Sequence, residues 1–367
     1  MNVFVFLIRA HYAFLNACLT FFKRILYTRI KTTATKILIV RKGNLGDIVC
    51  SYPAFESIKK HFHNASFDLL TTHGTLSSIG ANAVISDGYF NDVFEYRAYT
   101  RQELFTFIRK KSYDVVVELP ADVDTFWNQL RNLVFFRLAG IQTGGGWSVT
   151  RTQFLANYQL KYIEFENEQL RLKRILERCS IQAMREQLPP LFTQYDLANI
   201  KSKYEFDTKR PMVAIAVGAK LEKKKWPLSY FKTVIEYLQA KQFTVIAIGD
   251  EADYGAIESL AIPSIINTCG KLTIAESAAL LSICAFTICN DSGPMHLSYS
   301  VGTPVYAIIS ARNYKGKWNP PNDGQNRVFS NYNVPCAGCM NNPCNNNICM
   351  QQITPEQIIQ SLNCTLR

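Results

Sequence analysis

The sequence predicts an α/β protein in which two doubly wound parallel-sheet domains follow an N-terminal amphipathic helix. Three observations carry that prediction. Apolar runs rich in β-branched residues, such as Ile37-Leu38-Ile39-Val40, Asp114–Leu119 and Met212–Val217, read as buried parallel strands. Segments with apolar residues at helical spacing lie between them, which is the alternation of a parallel sheet covered on both faces. The pattern stops in a charged stretch from Pro189-Pro190 to Pro211 and then restarts. At 367 residues the chain has room for two cores. The expected division is a helix over 1–35, a first domain over 36–205 and a second over 206–367.

The N-terminal segment is apolar over residues 3–22 but is interrupted by Arg9, His11, Asn16 and Thr20 and followed by Lys23-Arg24. A secretory signal carries its charge ahead of the apolar core and ends in small residues, and neither feature is present. A spanning helix would bury Arg9 at roughly 2.5–3.5 kcal/mol. On a helix, Arg9, Asn16, Thr20, Lys23 and Arg24, then Thr28 and Lys31, fall on one polar stripe. Such a helix either lies in a membrane interface with its cations toward anionic head groups or packs on the protein itself. No later segment is long and apolar enough to span.

A net charge of +11 favours anionic partners. No aromatic-basic module or zinc-finger helix spacing accompanies it, so nucleic acid is not an expected partner. Of eleven cysteines, Cys18, Cys50, Cys179, Cys269, Cys284 and Cys289 are scattered through apolar contexts, as reduced, buried thiols in a reducing compartment would be.

Taken in order, Lys36–Phe62 opens with a strand, is broken by Gly43 and Gly46, and continues from Asp47 as a helix carrying Ile48, Tyr52, Phe55, Ile58 and Phe62. Strands are expected at Ser66–Thr72, 91–96 and Asp114–Leu119. Helices are expected at Arg101–Lys111, Asn128–Leu138 and Glu166–Cys179, and a turn at Gly144-Gly145-Gly146-Trp147. The second block has strands at Met212–Val217, Phe243–Ile248, Ser264–Asn267, Phe286–Cys289 and Val305–Ile309. Its helices are Pro227–Lys241, Ile274–Ser282 and Pro294–Val301. Two such blocks make two Rossmann-like domains facing across a cleft.

In such folds ligands bind at the carboxyl ends of strands, and four strand-end turns carry suitable chemistry. Asp47 either caps its helix or faces the ligand as a base. Gly218-Ala219-Lys220-Leu221-Glu222-Lys223-Lys224-Lys225-Trp226-Pro227 joins a strand to a helix, and a glycine turn, lysines and a helix N-terminus together suit a diphosphate. Gly249-Asp250-Glu251 offers carboxylates to ribose hydroxyls, or a helix cap. Asn290-Asp291-Ser292-Gly293-Pro294-Met295-His296 presents hydroxyl and amide donors at a helix start, with His296 one turn in. Gly43 and Gly46 lack the third glycine of a dinucleotide fingerprint, which argues against an oxidoreductase.

These stretches resemble a known family, the glycosyltransferases of the lipopolysaccharide heptosyltransferase type. The resemblance rests on KILIVRKGNLGDIVCSYPAFESIKKHF, on VGAKLEKKKWPLSYF with its K-x-W-P, and on CNDSGPMHLSYSVGTPVYAI, which is similar to D-[ST]-G-x-x-H followed by G-x-P-V. Trp318-Asn319-Pro320 and the closing ITPEQIIQSL also match, so residues 36–362 are covered and the N-terminal helix is not. The resemblance implies the GT-B fold and an inverting, metal-independent transfer of a heptose, or a related sugar, from an ADP-sugar to a lipopolysaccharide core or other lipid-linked oligosaccharide. It implies that Asp47 is the general base and that Lys224 neutralises the donor diphosphate. Asp291, Ser292, Gly293 and His296 would grip phosphates and sugar, with Gly218 and Glu251 also on the donor. The place of action implied is the cytoplasmic face of the inner membrane, as a peripheral protein with no cofactor required for catalysis. Glu118-Leu119-Pro120-Ala121-Asp122 departs from the family's Asp-Leu-Gln, which bears on the acceptor, and Ala219-Lys220 departs on the donor side. The alternative is a catalytically inert nucleotide-sugar-binding protein on the membrane.

Cys336, Cys339, Cys344 and Cys349 have a spacing that suits tetrahedral zinc, with two disulfides the alternative. In either case they read as a staple for the loop 336–349.

Overall fold

The computed structural model describes residues 3–72, 84–85, 88–149, 166–182, 191–204, 206, 209–340, 343–344 and 346–365. The chain forms two compact units, Met1–Tyr158 with Glu168–Pro189, and Gln159–Asn167 with Pro190–Arg367. The prolyl turn expected at Pro189-Pro190 lies outside the described residues.

The first unit begins with helix α1 (Val3–Leu26), followed by β1 (Lys36–Arg41), α2 (Leu45–Val49) and α3 (Tyr52–His61). Then come β2 (Ser66–Thr71), β3 (Asp92–Glu95), α4 (Arg101–Lys111), β4 (Val115–Leu119), α5 (Phe126–Leu138) and β5 (Thr143–Gly145), and the helix Glu168–Arg178 completes the unit. The five strands are parallel in the order β3-β2-β1-β4-β5. The chain leaves β1 in one direction and returns to its other side at β4. The turns after β1 and β4 therefore flank the point where strand order reverses, the place where such sheets bind ligands.

Two sequence expectations are corrected here. The segment from Asp47 to Phe62 is two helices, not one, because Pro53 occupies the first turn of α3, where its missing N–H starts a helix without continuing one. The glycine triplet is largely strand β5. A Cβ on Gly144 would lie 2.7 Å from the Trp147 ring and 2.8 Å from Val116, and one on Gly145 would lie 2.6 Å from the Cys179 sulfur. Bare backbone is what lets this edge strand close on its neighbours.

Helix α1 is held to the unit by its polar residues. Asn16 donates to the Val149 carbonyl (2.9 Å) and accepts from the Val149 N–H (2.9 Å) and the Ser148 hydroxyl (3.0 Å), and Leu19 is buried beside it. The expected polar stripe is thus corrected: Asn16 is turned inward, and Thr28 and Lys31 lie beyond the helix, Thr28 bridging to Thr143. Val3, Phe6, Leu7, Phe14, Phe21, Phe22 and Ile25 are exposed. No helix among the described residues is long and apolar enough to cross a membrane.

The second unit carries β6 (Met212–Ala216), β7 (Thr244–Ala247), β8 (Ile266–Asn267), β9 (Phe286–Asn290), β10 (Val305–Ile308) and β11 (Arg327–Phe329). They are parallel in the order β11-β10-β9-β6-β7-β8. Strand order reverses between β6 and β9. Val213, Ile215 and Ile288 pack on Trp226, Phe231, Val234 and Leu238 of the turn and helix after β6. The helix Gln194–Lys203 falls inside the stretch expected to be a plain connection. Thr193 starts it with a capping box to Asp196, and Ile200 is buried.

Candidate active site

In the first unit the turn after β1 presents Asp47. Its Oδ2 accepts the Asn44 N–H (3.0 Å), closing a capping box on α2, and the side chain remains 22% exposed. Asp47 therefore does cap its helix while keeping access to solvent. Gly43 has φ +147° and a Cβ there would lie 2.2 Å from that of Asp47, so only glycine leaves room for the carboxylate. Behind Asp47 lies a buried ionic network that sequence reasoning missed. Arg41, fully buried at the end of β1, places Nη2 3.7 Å from Asp47 Oδ1 and donates to the Asp47 carbonyl (3.2 Å) and to Glu168 Oε1 (2.9 Å). Arg171 donates twice to Glu168 (2.6 and 2.7 Å) and once to the Pro120 carbonyl (2.6 Å). Burial raises the Glu168 carboxyl, but the two guanidinium groups outweigh it and hold that carboxyl below its ordinary value. The missed signal was the arginine that ends the strand, one residue past its apolar run Ile37–Val40.

At the end of β4, Glu118 is buried. Its Oε1 accepts from Asn132 (2.7 Å) and Gln129 (3.2 Å), and Oε2 has no hydrogen-bond partner. Burial pushes its carboxyl from 4.5 up to about 7, against the pull of Lys42 and Asn132. The folded protein thus holds a proton here that the unfolded chain loses. Stability attributable to Glu118 falls as pH rises from about 4.5 to 7, by about 3 kcal/mol in all. Glu118→Gln is expected to raise stability relative to the parent at pH 8 and to gain little at pH 4.5, measured by denaturant unfolding at both.

In the second unit, the turns after β6 and β9 meet at the reversal of strand order. Glu222–Lys224 forms one 3-10 turn, and Lys224 Nζ lies 2.6 Å from Asp291 Oδ2 and 3.3 Å from the Asp291 carbonyl. Burial raises the Asp291 carboxyl, but Lys224, then His296 and Arg312, hold it below its ordinary value. Asn290, the last residue of β9, ties the two turns together. Its Oδ1 accepts the Trp226 N–H (3.0 Å) and its Nδ2 donates to the Val217 carbonyl (2.7 Å). Ser292 is the N-cap of the helix Gly293–Ser300, and its hydroxyl donates to the Asn290 carbonyl (3.3 Å), so Gly293 opens that helix. His296 is buried, with Nδ1 2.8 Å from the Tyr299 hydroxyl, and burial lowers it to about 4, which keeps the imidazole neutral.

Gly218 and Glu251 belong to the neighbouring strand ends. Asp250 caps the helix Glu251–Ser259 in a box with Asp253, and Glu251 is exposed at its first position. A Cβ on Gly218 would lie 2.0 Å from Asp253 Oδ2, and one on Gly249 2.4 Å from it. The carboxylate that fills this corner is Asp253, which sequence reasoning did not single out. Burial, then Asp250, raises it to about 6.

A model of glycosyltransferase family 9 (heptosyltransferase) matches residues 101–349, a stretch that holds Lys224, Asp291 and the four clustered cysteines. The chain belongs to this family. Among its relatives is the lipooligosaccharide heptosyltransferase 2 of Campylobacter jejuni, 23% identical over 338 residues, covering 89% of this chain and 98% of that one. The solved Escherichia coli ADP-heptose lps heptosyltransferase II shares the fold with a TM-score of 0.63 at 18% identity, over 90% of this chain and 98% of its own. The iron-containing dodecameric glycosyltransferase TibC of enterotoxigenic E. coli aligns with a TM-score of 0.54 at 17% identity, covering 93% of this chain and 78% of that one. Family membership makes the protein a glycosyltransferase, and the two parallel-sheet units are the Rossmann-like units of the GT-B class.

The cysteines of this heptosyltransferase-family chain are free thiols. Cys349 is buried, Cys339 and Cys344 are half-buried, and Cys336 is exposed. Burial raises the thiols of Cys339 and Cys349, and each is raised further by the other cysteines of the group, so the four lie within electrostatic reach of one another. Among the described residues no three of them converge as metal ligands.

Proposed function

We propose that the protein transfers a heptose, or a closely related sugar, from an ADP-sugar to a lipopolysaccharide core or similar lipid-linked acceptor, with inversion. The observation that carries this reading is the Lys224–Asp291 pair at the strand-order reversal of the second unit, beside the N-terminus of the helix Gly293–Ser300. A half-buried ammonium and backbone N–H groups at a helix start are the donors a departing diphosphate needs. In the proposed step Asp47 takes the proton of the acceptor hydroxyl, and that oxygen attacks the anomeric carbon. The bond from that carbon to the diphosphate oxygen breaks, and ADP leaves with its charge met by Lys224. Ser292 and Gly293 hold the phosphates, and Gly218 and Glu251 border the nucleoside. Asp291 and His296, the latter buried and neutral, complete the group proposed to grip the phosphates and sugar.

The test is calorimetry of the purified protein against ADP, UDP, GDP and CMP and their sugar conjugates with EDTA present. Selective ADP binding supports the reading. Binding of another nucleotide redirects the donor, and no binding at all overturns the reading.

Peripheral attachment to the inner face of the membrane belongs to the same proposal. The exposed Val3, Phe6, Leu7, Phe14, Phe21 and Ile25 of α1 supply the apolar contact, with Lys23 and Arg24 in its last turn for anionic head groups. Phe14→Glu with Phe21→Glu is expected to abolish co-flotation with phosphatidylglycerol vesicles while leaving ADP binding intact. Equal flotation of the variant removes α1 from the account.

Among the described residues the four cysteines do not converge as ligands, but they lie within electrostatic reach of one another, and they are proposed to close around a structural zinc that takes no part in transfer. Elemental analysis of protein prepared in reductant is expected to find about one ion per chain. Its removal by chelation should lower the melting temperature, and metal-free protein of unchanged stability overturns this part.

A further inference from the structure

The cysteine-bearing segment touches the lysine turn at more than one point, and the contacts bracket Lys224. On one side, Lys223 Nζ donates to the Met340 carbonyl (2.6 Å), which also accepts from Arg312 Nη2 (2.8 Å). On the other side, Asn347 Nδ2 donates to the Lys225 carbonyl (2.8 Å). That carbonyl and the Trp226 N–H belong to one peptide unit, and the N–H is taken by Asn290 Oδ1 (3.0 Å). Both polar ends of the peptide that follows Lys224 and its flanking residue are therefore fixed, one from β9 and one from the cysteine segment. The segment is itself anchored, with Gly338 N–H donating to the Ala311 carbonyl (2.7 Å) and Met340 N–H to the Arg312 carbonyl (3.0 Å). Asn347 has φ 45°, a left-handed conformation that asparagine tolerates better than most residues.

We propose that Asn347 and the Met340 carbonyl are positioning groups for donor binding. They set where the lysine turn holds Lys224, so the segment 336–349 acts on the diphosphate through that turn and not by touching it. The inference rests on the donor reading above but not on any metal. A side-chain amide at a left-handed position, donating to the one carbonyl next to Trp226, is a specific arrangement. A mere loop staple does not require it.

The test compares Asn347→Gly, which keeps the left-handed backbone and removes the amide, with Lys223→Met and Lys223→Arg. Each of the first two is expected to weaken ADP about tenfold, the effect of one lost hydrogen bond to a positioned backbone group. The KM for the acceptor and the kcat at saturating donor should stay within twofold, and Lys223→Arg should restore ADP affinity. If Asn347→Gly does not fold, Asn347→Asp serves, since it keeps the shape and exchanges a donor for an acceptor facing the Lys225 carbonyl. A folded Asn347 variant that binds ADP as the parent does overturns the proposal. So does an equal change in donor and acceptor constants, which marks a merely structural role. A parent protein that binds no nucleoside diphosphate defeats the donor reading first, and the positioning proposal with it.

Discussion

Changing Asp47 to asparagine is expected to lower kcat roughly a hundred- to ten-thousand-fold, the usual contribution of a positioned general base. The fold should survive the change. An asparagine oxygen at this position can still accept the Asn44 N–H that Asp47 Oδ2 accepts now at 3.0 Å, so the capping box on α2 keeps its bond. Calorimetric ADP binding should be unaltered, because the donor groups lie in the other unit. Turnover that survives within tenfold would remove Asp47 from the role of base and leave it as a cap. Arg41 sharpens the expectation. Its guanidinium lies 3.7 Å from Asp47 Oδ1 and donates to the Asp47 carbonyl, which holds this turn in place when the carboxylate is changed.

Lys224→Ala is expected to act on both stability and turnover. Asp291 is buried, and losing its partner at 2.6 Å leaves a carboxylate with an uncompensated charge. Breaking a buried pair in this way costs about 3–5 kcal/mol. The carboxyl of Asp291 is held below its ordinary value in the folded state, so its contribution is present above the unfolded-state value and is lost as pH falls through the folded one. The variant should accordingly lose less stability at low pH than at neutrality. The double change Lys224→Met with Asp291→Asn removes both charges and should recover most of the stability. It should not recover catalysis, since loss of a preorganised charge on the leaving group lowers kcat about a hundred- to a thousand-fold. Full ADP affinity and turnover in the stable double variant would show that neither residue serves the donor.

Much of the architecture was legible because its signals are local. The helices Arg101–Lys111 and Ile274–Ser282 begin at capping threonines and end where the apolar spacing ends, with Thr100 and Thr273 each bonding the third residue in. Asp291 and Lys224 were legible as turn residues because strand and helix patterns fix the turns, though their direct contact depends on strand order. What the sequence concealed is contact across distance. Arg41 reads as the polar end of an apolar strand until Glu168, 127 residues later, is seen beside it. Asp253 reads as a routine helix residue until the glycines of two other strands are found against it. The polar stripe of α1 read as a face for head groups, yet Asn16 is committed to Ser148 and Val149, a contact across more than 130 residues that no periodicity reveals.

The pairing of Lys224 with Asp291 has a consequence for which anions the site admits. Of the lysines in this turn, Lys223 is committed to a carbonyl, Lys224 to Asp291 and Lys225 to Glu222, and among the described residues Lys220 has no such commitment. Two of the four lysine charges in the turn, those of Lys224 and Lys225, are therefore met by carboxylates before any ligand arrives, and those of Lys220 and Lys223 are not. On the proposed reading a diphosphate enters by exchange, taking an ammonium from a carboxylate that already holds it. Simple phosphate, abundant in any cytosol, offers the same kind of charge without the reach and backbone fit that make the exchange favourable. Selectivity here is a matter of shape replacing an internal counterion, so raising salt should disturb the binding of the nucleotide less than the lysine count alone implies.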